Sequence, residues 1–204
     1  MPTKHCVKTY VPESYYHVYN RGVNKRRIFL DDQDYSVFLS LLKRYLSDET
    51  VPNKYNITYE NLSNEVEVLA YCLMPNHVHL LIYQISPDGM TNLMRRVFTA
   101  YSMYFNKKYK RVGGLFQDAY KASHIDSDEY LQHISRYIHL NPAKWATWNF
   151  SSLDYYRVNK VSSWINHKRI LELFKDSEEY LSFLADYEDY KRSLDEIKHQ
   201  LADH

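Results

Sequence analysis

Met74-Pro75-Asn76-His77-Val78-His79-Leu80-Leu81-Ile82-Tyr83 reads as a tight turn that opens a strand. Successive side chains of a strand point to opposite faces, so His77 and His79 project together while Val78, Leu80 and Ile82 face the other way. Two imidazoles side by side can clamp one divalent cation, and such a pair can equally be hydrogen-bonded inside a core. Glu65 to Leu73, before the turn, alternates well enough to be a partner strand, and the two form an antiparallel hairpin.

Working outward, Tyr15 to Asn20 is rich in β-formers and predicts a first strand, closed by Arg21-Gly22 and the basic turn Asn24-Lys25-Arg26-Arg27. Asp31-Asp32 open a helix whose apolar positions Tyr35, Phe38, Leu39, Leu42 and Leu46 fall on one face. Val51-Pro52-Asn53-Lys54 breaks it, and residues 55–64 read as a loop or a weak edge strand. After the histidine strand, Ser86-Pro87-Asp88-Gly89 precedes a long helix from Met90 to Tyr109, and Gly113-Gly114 leads to a strand from Ala119 to Ile125. Asp126-Ser127-Asp128-Glu129 has capping-box spacing and starts a helix that Pro142 stops. The order β-α-β-β-α-β plus one further helix predicts an α+β, ferredoxin-like antiparallel sheet. The first and third strands are expected as parallel central neighbours, which puts His17 and Tyr19 beside the histidine pair.

With 204 residues, the chain can hold a full core, and its composition is globular: 45% hydrophobic, 25% charged, 4 Gly and 6 Pro. No stretch approaches about 18 apolar residues and no apolar run follows Met1, so a cytoplasmic protein with no membrane span is expected. Cys6 and Cys72 are too far apart for a CxxC motif and read as free thiols. Residues 1–147 hold 18 Lys+Arg against 14 Asp+Glu, and residues 148–204 hold 8 against 11. The charge is therefore +4 over a first domain, 1–147, and −3 over a C-terminal appendage, 148–204, with helices near 166–175 and 177–200. The basic clusters Lys25-Arg26-Arg27, Arg95-Arg96 and Lys107 to Arg111 suit phosphate contacts, and the 21 tyrosines suit both core packing and base stacking.

On a helical wheel, Leu131, Ile134 and Ile138 form a core stripe, with Tyr130, His133, Tyr137 and Asn141 alongside and His139 on the other side. Tyr137 and Asn141, four apart, reach into one volume. A phenol has a pKa of about 10, so it must be aimed and assisted to act as a nucleophile. A cation held by His77, His79 and the Asn141 amide, Mg²⁺ or the more nitrogen-tolerant Mn²⁺, would supply that assistance at a phosphate. Plain packing of Tyr137 and helix termination by Asn141-Pro142 explain the same residues without chemistry.

Met74 to Leu81, then Gly114-Leu115-Phe116-Gln117-Asp118-Ala119-Tyr120-Lys121-Ala122, then Asp128-Glu129-Tyr130-Leu131 running into Arg136-Tyr137-Ile138-His139-Leu140-Asn141-Pro142, together resemble the REP-associated tyrosine transposases. These belong to the single-tyrosine HUH (His-hydrophobic-His) group, of the IS200 type. Tyr16-His17-Val18-Tyr19-Asn20-Arg21-Gly22 matches their first strand, and the likeness runs from about residue 14 to 156. The resemblance implies a metal-dependent single-stranded DNA endonuclease and strand transferase that recognises hairpin ends. Tyr137 would be the nucleophile forming a 5′-phosphotyrosine, with His77, His79 and Asn141 as metal ligands. Asn20, Arg21, Lys25, Arg26, Arg27 and Lys121 are the candidate DNA-binding residues. Asp118-Ala119 depart from the family, which has a basic or similar residue there. Relatives include homodimers that exchange tyrosine helices and monomers that act in cis. Two other readings stand beside it: a catalytically silent hairpin-binding regulator, and a phosphodiesterase that uses water.

Overall fold

The computed structural model describes residues 10–47, 58–158 and 160–186. Four strands, β1 (Ser14–Arg21), β2 (Val66–Met74), β3 (His77–Gln84) and β4 (Lys121–Ile125), form one sheet in the order β2-β3-β1-β4. Helix α1 (Asp32–Leu46) connects β1 to β2, α2 (Gly89–Lys108) connects β3 to β4, and α3 (Asp128–Leu140) follows β4. The α+β, ferredoxin-like order is the expected one, with a correction to strand direction. β1 and β3 are central neighbours but antiparallel, with Tyr19 opposite His79 and Arg21 opposite His77. The crossover through α1 lands β2 two places away from β1, and the tight β2–β3 turn fills the gap with a strand that opposes both.

Alternation splits the sheet into two faces. Val18, Val68, Leu73, Val78, Leu80 and Ile82 pack with Phe38 and Leu42 of α1 and Leu93, Val97 and Tyr101 of α2. Ala70, Cys72, Leu81 and Ile125 pack under Leu131, Ile134 and Ile138 of α3. A bulge between Val68 and Ala70 lets both Leu69 and Ala70 join this second core. The stripe expected on α3 is thus the buried one, and Cys72 is a buried free thiol, while Cys6 lies outside the described residues.

Helix starts follow local chemistry. α1 has a full capping box: the Asp31 carboxylate accepts from the Asp34 N–H, and Asp34 reaches back to the Asp31 N–H. At α3 the expected box shifts by one residue. Ser127 is the cap and accepts from the Tyr130 N–H, so Glu129 has no partner role in it. Strand β4 begins at Lys121 rather than Ala119, because Phe116 and Gln117 instead pair with the end of β1. Residues 58–64 contain no strand, and 55–57 lie outside the described residues.

Among the described residues after 147 there are three short helices, α4 (Leu153–Arg157), α5 (Lys168–Leu171) and α6 (Ser177–Ala185). The helix expected over 166–175 is cut to one turn, and the remainder of the one expected over 177–200 lies outside the described residues. This segment covers the open edge of β2: Ser151 bridges Cys72, and Ile165 bridges Val68. Tyr156, Ile170, Tyr180 and Leu184 complete the core beneath α3.

Candidate active site

Three pieces of backbone meet where β1 ends and β3 begins. Gly22 N–H donates to the Asn76 carbonyl at 2.9 Å, and Ile28 and Phe29 both donate to Pro75, which locks the hairpin turn against the basic turn. Gly22 is required by close approach: a Cβ there would collide with the Arg26 carbonyl oxygen and the Ile28 side chain. On the other side Gln117 N–H donates to the Arg21 carbonyl at 2.8 Å, so residues 116–118 extend the sheet past β4. α3 crosses this end and delivers Tyr137 and Asn141.

The side chains converge within one chain. The rings of His77 and His79 stand 4.9 Å apart and nearly perpendicular, and the Tyr137 ring meets His79 edge-on at 5.3 Å. Asn141 Oδ1 lies 3.1 Å from His77 Nε2, and Asn141 also shares a hydrogen bond with Tyr137. His77 Nδ1 faces Asn76 Oδ1 at 2.6 Å. A neutral imidazole has one N–H, yet both nitrogens of His77 face amide oxygens. A cation between Nε2 and Asn141, or a half-turn of the Asn141 amide, would satisfy the second. His79 Nε2 is buried with no hydrogen-bond partner, while its Nδ1 lies 2.9 Å from His17 Nε2.

Electrostatics keeps these groups neutral. Burial lowers the pKa of His17 to about 3 and that of His79 well below its ordinary value, where His17, His77 and Arg21 add to the effect. His77 is also lowered, by burial and by Arg21, against the Asn141 contact. Burial raises the Tyr137 phenol, and the hydrogen bond with Asn141 and the charge of Arg21 oppose the rise. Neutral imidazoles with bare nitrogens are what a divalent cation requires. Among the described residues no three His, Cys, Asp or Glu side chains group as a metal site. The donors this cluster could offer a cation are two imidazoles, His77 and His79, and the Asn141 amide oxygen, with water or phosphate oxygens to complete the set.

A pocket of about 560 Å³ opens over this cluster, lined by Tyr19, Asn20, Arg21, Lys25, His77, His79, Gln117, Asp118, Ala119, Lys121 and Tyr137. Of the DNA-binding candidates, Arg21, Lys25 and Lys121 stand at its rim. Lys25 holds a positive φ of 58° there. Asn20 is only 7% exposed and acts as a brace, its Oδ1 accepting from the Arg21 N–H and its amide donating to the Asp118 carbonyl. Arg26 and Arg27 are exposed outside the pocket, with Arg26 bonded to the Val23 carbonyl. Gln117 falls inside the motif Gly114 to Ala122 that carries the family resemblance, but the sequence assigned it no role. Its only cue is the pair Leu115-Phe116 after two glycines, which returns the chain to the core. The cluster at Lys107 to Arg111 is partly spent on structure, since Lys108 pairs with Asp31 and Asp34.

The fold is thus an antiparallel α+β sheet at one end of which paired imidazoles, a phenol and an amide meet beside basic side chains. The family model described as IS200-like transposase matches residues 10–141, and the chain belongs to that family. Among solved structures, a REP-associated tyrosine transposase bound to a REP hairpin is similar in fold, with a TM-score of 0.54 and 16% identity, over 80% of this chain and 92% of that one. A transposase candidate from Deinococcus radiodurans R1 matches with a TM-score of 0.41 and 16% identity, over 65% of this chain and 92% of that one. No curated protein matches the chain.

Proposed function

We propose that this IS200-like transposase is a metal-dependent single-stranded DNA endonuclease and strand transferase that works through a 5′-phosphotyrosine on Tyr137 and recognises DNA hairpins. The observation that carries the reading is the meeting of Tyr137 and Asn141 with His77 and His79 around one small volume at the base of the pocket. The fold likeness to a transposase bound to a REP hairpin supports the hairpin part of the reading.

Tyr137 Oη attacks a scissile phosphorus; the new O–P bond forms as the bond to the 3′ oxygen breaks, leaving a 5′-phosphotyrosine and a 3′-hydroxyl. The phenolic proton leaves to water, and the departing oxygen takes one up. A later attack by a 3′-hydroxyl reverses the exchange and rejoins a strand, so no nucleotide cofactor is consumed. Arg21 stabilises negative charge at the phenol, and Arg21, Lys25 and Lys121 hold phosphates at the rim. His77, His79 and Asn141 would hold Mg²⁺ or Mn²⁺, which would supply charge neutralisation at the phosphate.

The test is incubation of a single-stranded hairpin oligonucleotide with the protein and Mn²⁺, followed by a denaturing gel. A covalent protein–DNA band is expected from the wild type and none from Tyr137→Phe or His77→Ala. An adduct in Tyr137→Phe overturns the nucleophile assignment, and cleavage without any adduct favours water as nucleophile.

A further inference from the structure

We propose that His17, which belongs to the first strand and stands outside the pocket, is a positioning residue that fixes the tautomer of His79 so that its Nε2 is bare. The inference deepens the metal reading above and rests on it. His17 is almost wholly buried, its ring stacked on that of His79 at 5.1 Å with planes 21° apart, and it is not among the residues that line the pocket. The cross-strand register explains the contact. Tyr19 sits opposite His79, and His17, two residues back on the same face, reaches it diagonally.

The His17 Nε2 to His79 Nδ1 contact of 2.9 Å holds one proton between two neutral rings, and it can be placed in two ways. If His17 donates, the proton of His79 must sit on Nε2. That atom is buried and has no acceptor, which leaves an N–H unsatisfied and closed to a cation. If His79 Nδ1–H donates, His17 accepts, and His79 Nε2 is left as a lone pair aimed at the site. The second arrangement moves the His17 proton to Nδ1, which is not among the buried atoms lacking a partner, so the buried nitrogen left without one, His79 Nε2, is then a bare ligand atom rather than a stranded N–H. His77 offers a parallel arrangement: of its two amide-oxygen contacts, Asn76 Oδ1 at 2.6 Å on Nδ1 is the shorter and Asn141 Oδ1 at 3.1 Å on Nε2 the longer, and a proton on Nδ1 leaves Nε2 bare toward Asn141. Each strand histidine thus has its outer nitrogen tied by a neighbour: Asn76 in the turn for one, His17 on the adjacent strand for the other.

Mn²⁺ binding to the DNA-free protein, followed by electron paramagnetic resonance, separates the possibilities. The wild type is expected to bind, His17→Phe to bind about 10–100-fold more weakly, and His17→Gln, whose amide oxygen can accept from His79 Nδ1, to recover most of the loss. The ¹⁵N spectrum of metal-free, histidine-labelled wild type should show the His79 proton on Nδ1, the signal being assigned by its loss in His79→Gln. Unweakened binding in His17→Phe, or a proton on His79 Nε2, overturns the positioning role while leaving the metal reading intact. No Mn²⁺ binding by the wild type overturns both. Should His17→Phe fail to fold, the wild-type spectrum decides alone.

Discussion

At the scale of single residues, the basic groups divide by where they point. Arg21 and Lys25 line the pocket, and the charge of Arg21 is felt by His77, His79 and Tyr137 together. Arg27 lies away from it, close enough to Tyr35 to act on that phenol. A side chain that holds a phosphate displaces counterions, so its loss flattens the salt dependence of binding by roughly 0.7 per contact for a single strand. Arg21→Gln and Lys25→Gln should each weaken binding of a single-stranded hairpin and reduce that slope, while Arg27→Gln should leave both unchanged. Fluorescence anisotropy titrations across a salt series check this, and an Arg27→Gln effect equal to that of Arg21→Gln would rule out the pocket as the DNA path. The sequence made the paired imidazoles and the Tyr137–Asn141 pair legible, because two-residue spacing on a strand and four-residue spacing on a helix fix shared faces. Asn20 as a brace and Gln117 as a lining residue were not legible. Their places depend on pairing between segments nearly a hundred residues apart, which no local spacing encodes.

At the scale of elements, the starts of α1 and α3 were legible in the sequence to within a residue or two, but strand direction had to be built. Asp31-Asp32 announced α1, yet the deeper role of Asp34 needed α2 to be in place. Its fully buried carboxylate receives Lys108 Nζ at 2.8 Å, the hydroxyls of Tyr104 and Tyr109, and the Leu30 N–H. Burial alone would raise its pKa, but Lys108, the Leu30 amide and the two phenols outweigh this and hold it below the ordinary carboxylate range. A depressed folded-state pKa gives stability that is present above the unfolded value of about 4 and is lost as pH falls through the folded one. Asp34→Asn should therefore destabilise the protein by about 2 kcal/mol at pH 7, with the gap shrinking below pH about 4. Urea melts of both proteins at pH 7 and pH 3 test the sign, and a gap that is equal at the two values would remove the ionic explanation. The antiparallel neighbours β1 and β3 were misjudged for a similar reason. Direction follows from where a crossover lands, and apolar spacing within each strand is silent about that.

At the scale of the whole molecule, the question is which chain's tyrosine serves which chain's histidines. α3 is bound to its own sheet on three counts. Only Asp126 and Ser127 separate β4 from α3, so the ends of the two elements can lie at most about 11 Å apart. Leu131, Ile134 and Ile138 are wholly or almost wholly buried against that sheet. Two residues past Tyr137, buried His139 joins Tyr180 Oη at 2.6 Å and Ser152 Oγ at 2.7 Å, and Ser152 in turn bonds the backbone of Tyr71 in β2. The segment after residue 147 thus acts as a strap that holds the tyrosine helix over its own β2, and exchanging α3 with a second chain would require undoing the strap and the core together. Under the proposed function, activity in cis is the expected outcome, whether or not two chains associate. An equimolar mixture of Tyr137→Phe and His77→Ala should form no more covalent adduct with a hairpin oligonucleotide than either variant alone, even after co-refolding to allow exchange. If tyrosine helices were traded between subunits, the mixture would contain composite sites with Tyr137 from one chain and both histidines from the other. Recovery of the adduct in the mixture would then show that the strap does not hold α3 at home.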